Sequence, residues 1–150
     1  MTIHIISQAD PLWLPVADFA EQCSWDACAR MAKLMRDNEF TDWERLFTAT
    51  EGDKILGFCA LVKPKGFPGT EYSPLVKWIF VDEKYRGNRL SEKLLKSTSE
   101  YVSKLGTEKV YLTTWHIGLY EKYGFVKICD KEVRDGYSEG IFERTTAASL

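Results

Sequence analysis

The sequence predicts an α/β (α+β) fold, a mixed central sheet of about seven strands with helices on both faces. Three observations predict it. Hydrophobic periodicity along the 150 residues switches in the order β-α-α-β-β-β-α-β-α-β-β. The middle strands follow one another as antiparallel neighbours, whereas the later ones are strand–helix–strand units that bring strands in parallel. Residues 54–62 (KILGFCALV) are apolar on both faces, so the strand they form should be central in the sheet. No repeat, low-complexity tract or Pro/Gly linker divides the chain, and residues 1–150 read as a single domain.

Each element has a local cause. Residues 1–9 alternate as a strand does, and Asp10-Pro11 then starts a helix, a capping side chain followed by a proline whose missing N–H costs nothing there. Leu12, Val16, Phe19 and Ala20 recur at helical spacing. Ser24 is placed to cap a second helix carrying Ala27, Cys28, Met31, Leu34 and Met35. Residues 43–50 are aromatic and β-branched, and Glu51-Gly52-Asp53 turns them into the 54–62 strand. Residues 63–70 form a loop by their prolines and glycines, and residues 75–81 (LVKWIFV) return as a strand. Leu90, Leu94, Leu95, Tyr101, Val102 and Leu105 share one face of a helix over 89–105, which Gly106 ends. A strand over 109–113, a short helix over 117–123, and two closing strands over 125–133 and 138–145 around Asp135-Gly136 complete the order.

Composition excludes several classes of function. The chain is 45% apolar and 28% charged with a net charge of −2, an ordinary globular mixture without a field to gather DNA or an anionic membrane. No apolar run is long enough to span a bilayer, and the N-terminus lacks the pattern of a secretory signal, so a cytoplasmic location is expected. Cys23, Cys28, Cys59 and Cys129 contain no C-x-x-C pair and read as buried, reduced thiols. His4 and His116 have no metal-ligand spacing around them, and no metal is expected.

The segment 81–95 (VDEKYRGNRLSEKLL) leaves a buried strand, makes a polar turn and enters an amphipathic helix. Lys84, Arg86 and Arg89 thus gather at a helix N-terminus, the wrong sign for the helix dipole by roughly 0.3–1 kcal/mol per group. An anion on the open N–H groups of the first turn reverses that penalty. Gly87 lets the backbone come close to such an anion, and Asn88 is able to cap the turn. Neither G-x-G-x-x-G nor G-x-x-x-x-G-K-[ST] occurs.

Val81-Asp82-Glu83-Lys84-Tyr85-Arg86-Gly87-Asn88-Arg89-Leu90-Ser91 resembles motif A of the GNAT superfamily of N-acetyltransferases, an [RQ]-x-x-G-x-[GA] loop after the fourth strand. Gly118-Leu119-Tyr120-Glu121-Lys122-Tyr123-Gly124-Phe125 resembles its motif B. The two are separated by the helix and strand that the family has there, and the element order matches along nearly the whole chain. The resemblance implies a GNAT-like acyl-CoA N-acyltransferase fold. It also implies acetyl-CoA as cosubstrate, with its pyrophosphate on Arg86, Gly87, Asn88, Arg89, Leu90 and Ser91. Backbone N–H groups of Ile79, Phe80 and Val81 would polarise the thioester, while the Ile79 and Val81 side chains pack in the core. Tyr120 matches the tyrosine that protonates the departing thiolate, which leaves Tyr123 to pack the short helix. Two residues compete for the general base, His116 before that helix and Glu71 near the entry to the fourth strand.

The chain departs from the family pattern at three places. Arg89 stands where the family has a glycine, Ser91 replaces a Gly or Ala, and Thr113 replaces the asparagine often found before motif B. Arg89 constrains the backbone through its Cβ but adds a side chain able to reach a phosphate. The implied partner is a small amine acceptor or a protein N-terminus, drawn toward Trp25, Glu39, Phe40, Asp42, Trp43, Glu71, Tyr72 and Trp115. Nucleic acid and membrane are not expected partners, and the final strands offer a pairing edge for a homodimer. The alternative is a catalytically idle CoA-binding or protein-interaction module of the same fold, which would have sacrificed Tyr120.

Overall fold

The computed structural model describes residues 1–64, 72–134 and 136–146. Its elements run β1 (Thr2–Ile6), α1 (Trp13–Gln22), α2 (Ala27–Arg36), β2 (Arg45–Glu51), β3 (Lys54–Val62), β4 (Leu75–Val81), α3 (Leu90–Lys104), β5 (Lys109–Thr114), β6 (Val126–Arg134) and β7 (Tyr137–Thr145). Two short 3-10 turns, Glu83–Tyr85 and Tyr120–Tyr123, precede α3 and β6. The strands form one seven-stranded sheet in the order β1-β2-β3-β4-β5-β7-β6. Parallel pairing joins β4 to β5, and antiparallel pairing joins β1 to β2, β2 to β3, β5 to β7 and β6 to β7. The mixed sheet expected from the sequence is thus present. Two compact units divide the chain, Met1–Leu61 with Trp78–Leu94, and Val62–Lys77 with Leu95–Leu150.

In the first unit α1 and α2 are locked by the indole of Trp13, which donates to the Met35 carbonyl at 3.1 Å and meets the edge of Phe40 at 5.3 Å. Phe19 of α1 sits edge-on to Phe58 of β3 and Phe80 of β4, at 6.1 and 6.3 Å, while Phe58 and Phe80 stack at 5.6 Å. Such ring pairs add about 0.5–1.5 kcal/mol each beyond the area they bury. A Cβ added at the neighbouring Gly57 would lie 3.3 Å from Cδ2 of Leu90 in α3. Successive strand residues point to opposite faces, so α1 and the start of α3 cover opposite sides of β3. Helices on both faces follow directly.

In the second unit β5 alternates inward with Val110, Leu112 and Thr114, and pairs with β7 from Lys109↔Thr145 to Thr114↔Gly140. Leu95, Thr98, Ser99 and Val102 form the buried face of α3 here. At the edge of the sheet β6 exposes Val126 and Ile128.

Element boundaries differ where tight turns precede regular helix. Asp10 does cap, accepting from the Leu12 N–H at 2.9 Å, but Trp13 N bonds back to the Asp10 carbonyl three residues away, and α1 begins at Trp13. Similarly, Cys28 N and Ala29 N bond to Trp25 and Asp26 carbonyls, so α2 begins at Ala27 and not after a Ser24 cap. The helix expected over 117–123 shrinks to the 3-10 turn Tyr120–Tyr123, because Gly118 has φ 90° and the Glu121 carboxylate holds its N–H at 3.1 Å. All four cysteines are free, but only Cys28 and Cys59 are buried. Cys23 caps the C-terminus of α1 and Cys129 lies on edge strand β6, so both are half-buried. Of the expected loops, residues 65–70 and Asp135 lie outside the described residues.

Candidate active site

The basic turn belongs to the first unit and is built outward from β4. Trp78 has φ 54°, a left-handed residue inside a strand, which interrupts a regular ladder; Leu75 and Val76, which pair with Tyr111 and Leu112 of β5, precede it in sequence. Asp82 N donates to the Leu56 carbonyl at 2.8 Å, and the Asp82 carboxylate accepts from Lys84 N at 3.0 Å, which folds Glu83–Tyr85 into its 3-10 turn. Arg86 then turns back: its Nε donates to the Val81 carbonyl at 3.1 Å, and its guanidinium lies over the Phe80 ring at 5.8 Å. Among the described residues no acceptor takes the outer Nη groups of Arg86.

Past Arg86 the backbone passes through two left-handed residues, Gly87 at φ 88° and Arg89 at φ 60°. A Cβ at Gly87 would meet nothing within 4 Å, so its φ alone asks for glycine. The backbone N–H groups of Gly87, Asn88, Arg89 and Leu90 find no acceptor among the described residues. Successive open N–H groups at the start of a helix, beside an anchored arginine, suit an anion.

Three expectations about this loop are corrected. Asn88 caps the preceding turn and not α3, donating from Nδ2 to the Tyr85 carbonyl at 3.0 Å. The basic cluster is not uncompensated, since Glu92 stands in the first turn of α3 with Arg89 Nε 2.9 Å from its carboxylate. That contact is ionic and misaligned, because Glu92 Oε2 is buried without a hydrogen-bond partner among the described residues. Of Ile79, Phe80 and Val81 only Phe80 is buried; Ile79 and Val81 are half-buried, as their side chains alternate away from the Phe19–Phe58–Phe80 cluster. A cavity of about 320 Å³ opens in the same unit, lined by Phe19, Gln22, Cys23, Ser24, Phe80, Asp82, Glu83 and Lys84.

The second motif belongs to the other unit. Tyr120 is 7% exposed and begins its 3-10 turn, whose end is closed by Gly124 N and Phe125 N donating to the Glu121 and Tyr120 carbonyls, both at 3.2 Å. Tyr123 meets it edge-on at 6.4 Å and is only half-buried, the reverse of the expected division of packing. His116 is exposed and stacks on Trp115 at 4.1 Å, and its backbone N–H donates to Thr114 Oγ1 at 3.0 Å. Thr113 donates to Glu139 at 2.6 Å. Glu71 lies outside the described residues. Of the residues expected around the acceptor, Phe40 is instead core beneath Trp13, whereas Trp25 and Trp115 are exposed.

Residues 42–127 match the family model described as Acetyltransferase (GNAT) domain, more than half of the chain and the part that holds both motifs. The chain belongs to the GNAT acetyltransferase family. Among solved structures this GNAT domain is similar to an aminoglycoside 6'-acetyltransferase type Ii, at 16% identity over 100% of both chains with a TM-score of 0.74. It is also similar to an aminoglycoside 6'-N-acetyltransferase complexed with coenzyme A, at 15% identity over 100% of this chain and 99% of that one with a TM-score of 0.72. A spermidine N-acetyltransferase chimera from Vibrio cholerae and hSSAT aligns at 14% identity over 98% of each chain with a TM-score of 0.68. At these identities the likeness is one of fold. No curated protein matches the sequence.

Sequence reasoning passed over two buried charges in this GNAT domain. Glu44 is 4% exposed and accepts from Thr41 N at 3.0 Å. Arg144 is 2% exposed on β7, two residues after the buried Phe142, and that alternation was the signal available. No helix is long and apolar enough to cross a membrane, and no three metal-ligating side chains gather, among the described residues.

Proposed function

We propose that this GNAT domain transfers an acetyl group from acetyl-CoA to the primary amine of an acceptor by direct attack. One observation carries the reading: four consecutive open N–H groups, Gly87 to Leu90, follow an arginine pinned by its Nε with its outer nitrogens unengaged. That arrangement fits a pyrophosphate, with Ser91 completing the loop. A fold relative is described as complexed with coenzyme A, which supports the same cosubstrate here.

Bound acetyl-CoA supplies the acetyl thioester. Backbone N–H groups along Ile79, Phe80 and Val81 are assigned to its carbonyl, where preorganised donors stabilise developing negative charge. Phe80, stacked on Phe58 and roofed by Arg86, keeps water from that strand. The base takes a proton from the acceptor ammonium, and the freed amine nitrogen forms the C–N bond as the C–S bond breaks. The Tyr120 phenol protonates the sulfur, and the phenolate it leaves takes the second proton from the new amide nitrogen. Proton transfer from a phenol to a thiolate is uphill by roughly 2 kcal/mol in water, and burial of the thiolate closes the gap. His116 and Glu71 are the two groups assigned to the base. The acceptor is an amine-bearing cation, in keeping with the aminoglycoside and spermidine enzymes that share the fold and with Asp82 and Glu83 on the cavity. Free cysteines accord with the cytoplasm as the place of action.

Tyr120→Phe tests the assignment, because the ring keeps its packing and only the hydroxyl is lost. Turnover should fall by about 10²–10⁴ with the thermal midpoint nearly unchanged. Unchanged turnover removes Tyr120 from the mechanism.

A further inference from the structure

Arg144 is buried on β7, paired in register with Val110, and its guanidinium reaches two other elements of the same unit. Nε donates to the Tyr123 carbonyl at 3.0 Å, and Nη1 donates to the Ser99 hydroxyl of α3 at 3.0 Å. Tyr123 is the last residue of the 3-10 turn that begins at Tyr120. A turn of four residues has no stability of its own, and the carbonyls at its end lack partners within it. Arg144 therefore satisfies one of those carbonyls and fastens the turn to both β7 and α3.

Gly124 shows how closely the two are fitted. Its φ is 88°, and a Cβ there would stand 3.0 Å from Nε and 3.5 Å from Cδ of Arg144. The arginine side chain thus lies across the face of Gly124 that any other residue would fill. Glycine is required twice at this position, once by the backbone and once by Arg144. Desolvation lowers the Arg144 pKa, so the fork is held at some cost to its own charge. A planar guanidinium makes both bonds at once in fixed geometry, which an ammonium cannot do.

We infer that Arg144 is a positioning residue for Tyr120, holding through the Tyr123 carbonyl and Ser99 the turn from which the phenol projects. This rests on the reading of Tyr120 as the proton donor. Arg144 acts only through the turn and is not a catalytic residue.

The test uses the full chain with Arg144→Met and Arg144→Lys, each alone and combined with Tyr120→Phe. Without ligand, amide exchange is measured at Gly124 and Phe125, whose N–H groups close the turn. Thiol release from acetyl-CoA is followed with spermidine as the amine probe. Arg144→Met should accelerate exchange at both amides and lower kcat by about 10²-fold, the cost of an ångström-scale misplacement. The KM for acetyl-CoA should stay within about twofold, and Lys should restore part of the loss. In the Tyr120→Phe background the Arg144 substitution should cost nothing further. Unchanged exchange at Gly124 and Phe125, or a full second loss on top of Tyr120→Phe, overturns the inference. If Tyr120→Phe alone leaves turnover intact, the acid role of Tyr120 fails, while the exchange data still judge the hold of Arg144 on the turn. Where Arg144→Met fails to fold, Ser99→Ala removes one anchor only; faster exchange at the two amides supports the inference and unchanged exchange overturns it.

Discussion

Substituting Arg89 separates what its backbone costs from what its side chain contributes. The residue is held at φ 60°, where a side chain with a Cβ is disfavoured by about 1–2 kcal/mol. Its side chain is 78% exposed, with an ion pair to Glu92 at 2.9 Å that is worth roughly 0.2–1 kcal/mol at such a surface. Arg89→Ala loses the pair and keeps the backbone cost, so it should be slightly destabilised. Arg89→Gly loses the same pair, is relieved of the backbone cost, and gives back about 0.4–1 kcal/mol to the freer unfolded chain. Both variants leave Glu92 in the same state, so the pair and its buried oxygen cancel between them. The glycine variant should therefore be the more stable, by about 1 kcal/mol, or roughly 0.5 M in the urea midpoint. Equal midpoints, or a more stable alanine variant, would refute the claim that the fold forces this residue into the left-handed region.

Other consequences are open to direct measurement. At Gly57 an added Cβ would stand 2.6 Å from the backbone oxygen of Phe80, which cannot swing aside; Gly57→Ala should cost about 1–3 kcal/mol in denaturant melts, and a neutral change would mean that β3 and β4 are less closely apposed. Burial raises the Cys28 and Cys59 thiols above their ordinary value of 9.0, so above that pH the unfolded chain releases protons that the folded chain keeps. Stability is then full below about pH 9 and falls as pH rises, by about 1.4 kcal/mol per unit for each thiol. Cys59→Ala should flatten the fall, and an identical slope in the variant contradicts it. With His116 as base, His116→Ala abolishes the acidic limb of the kcat/KM profile; a limb that persists there and in Glu71→Gln removes both residues from that role.

The elements that carry a strong period were legible in the sequence, and the motifs stood on them. β3 and β4 fall at the expected residues because continuous apolar runs bounded by Gly, Asp and Pro leave little choice. Helix starts were less legible. Whether Asp10 or Ser24 opens a helix depends on i→i−3 turns that no capping rule sees, and both helices begin about three residues later. The polar turn of 82–89 was visible as a place for an anion, yet the task of each residue in it was not. Asn88 serves the turn behind it, Arg86 spends its Nε on Val81, and Glu92 answers Arg89. Arg144 was hidden for a different reason. An arginine near a chain end reads as solvated, and only its phase with Phe142 along β7 marks it as inward-facing.

Calorimetric titration of acetyl-CoA into the purified chain, repeated with Arg86→Ala, tests the central claim most directly. The anchored arginine and the open N–H groups of Gly87 to Leu90 predict saturable binding by the native chain, weakened roughly tenfold or more when the guanidinium is removed. No heat at millimolar acetyl-CoA, or equal affinity in the two proteins, would contradict the placement of the cosubstrate on this loop.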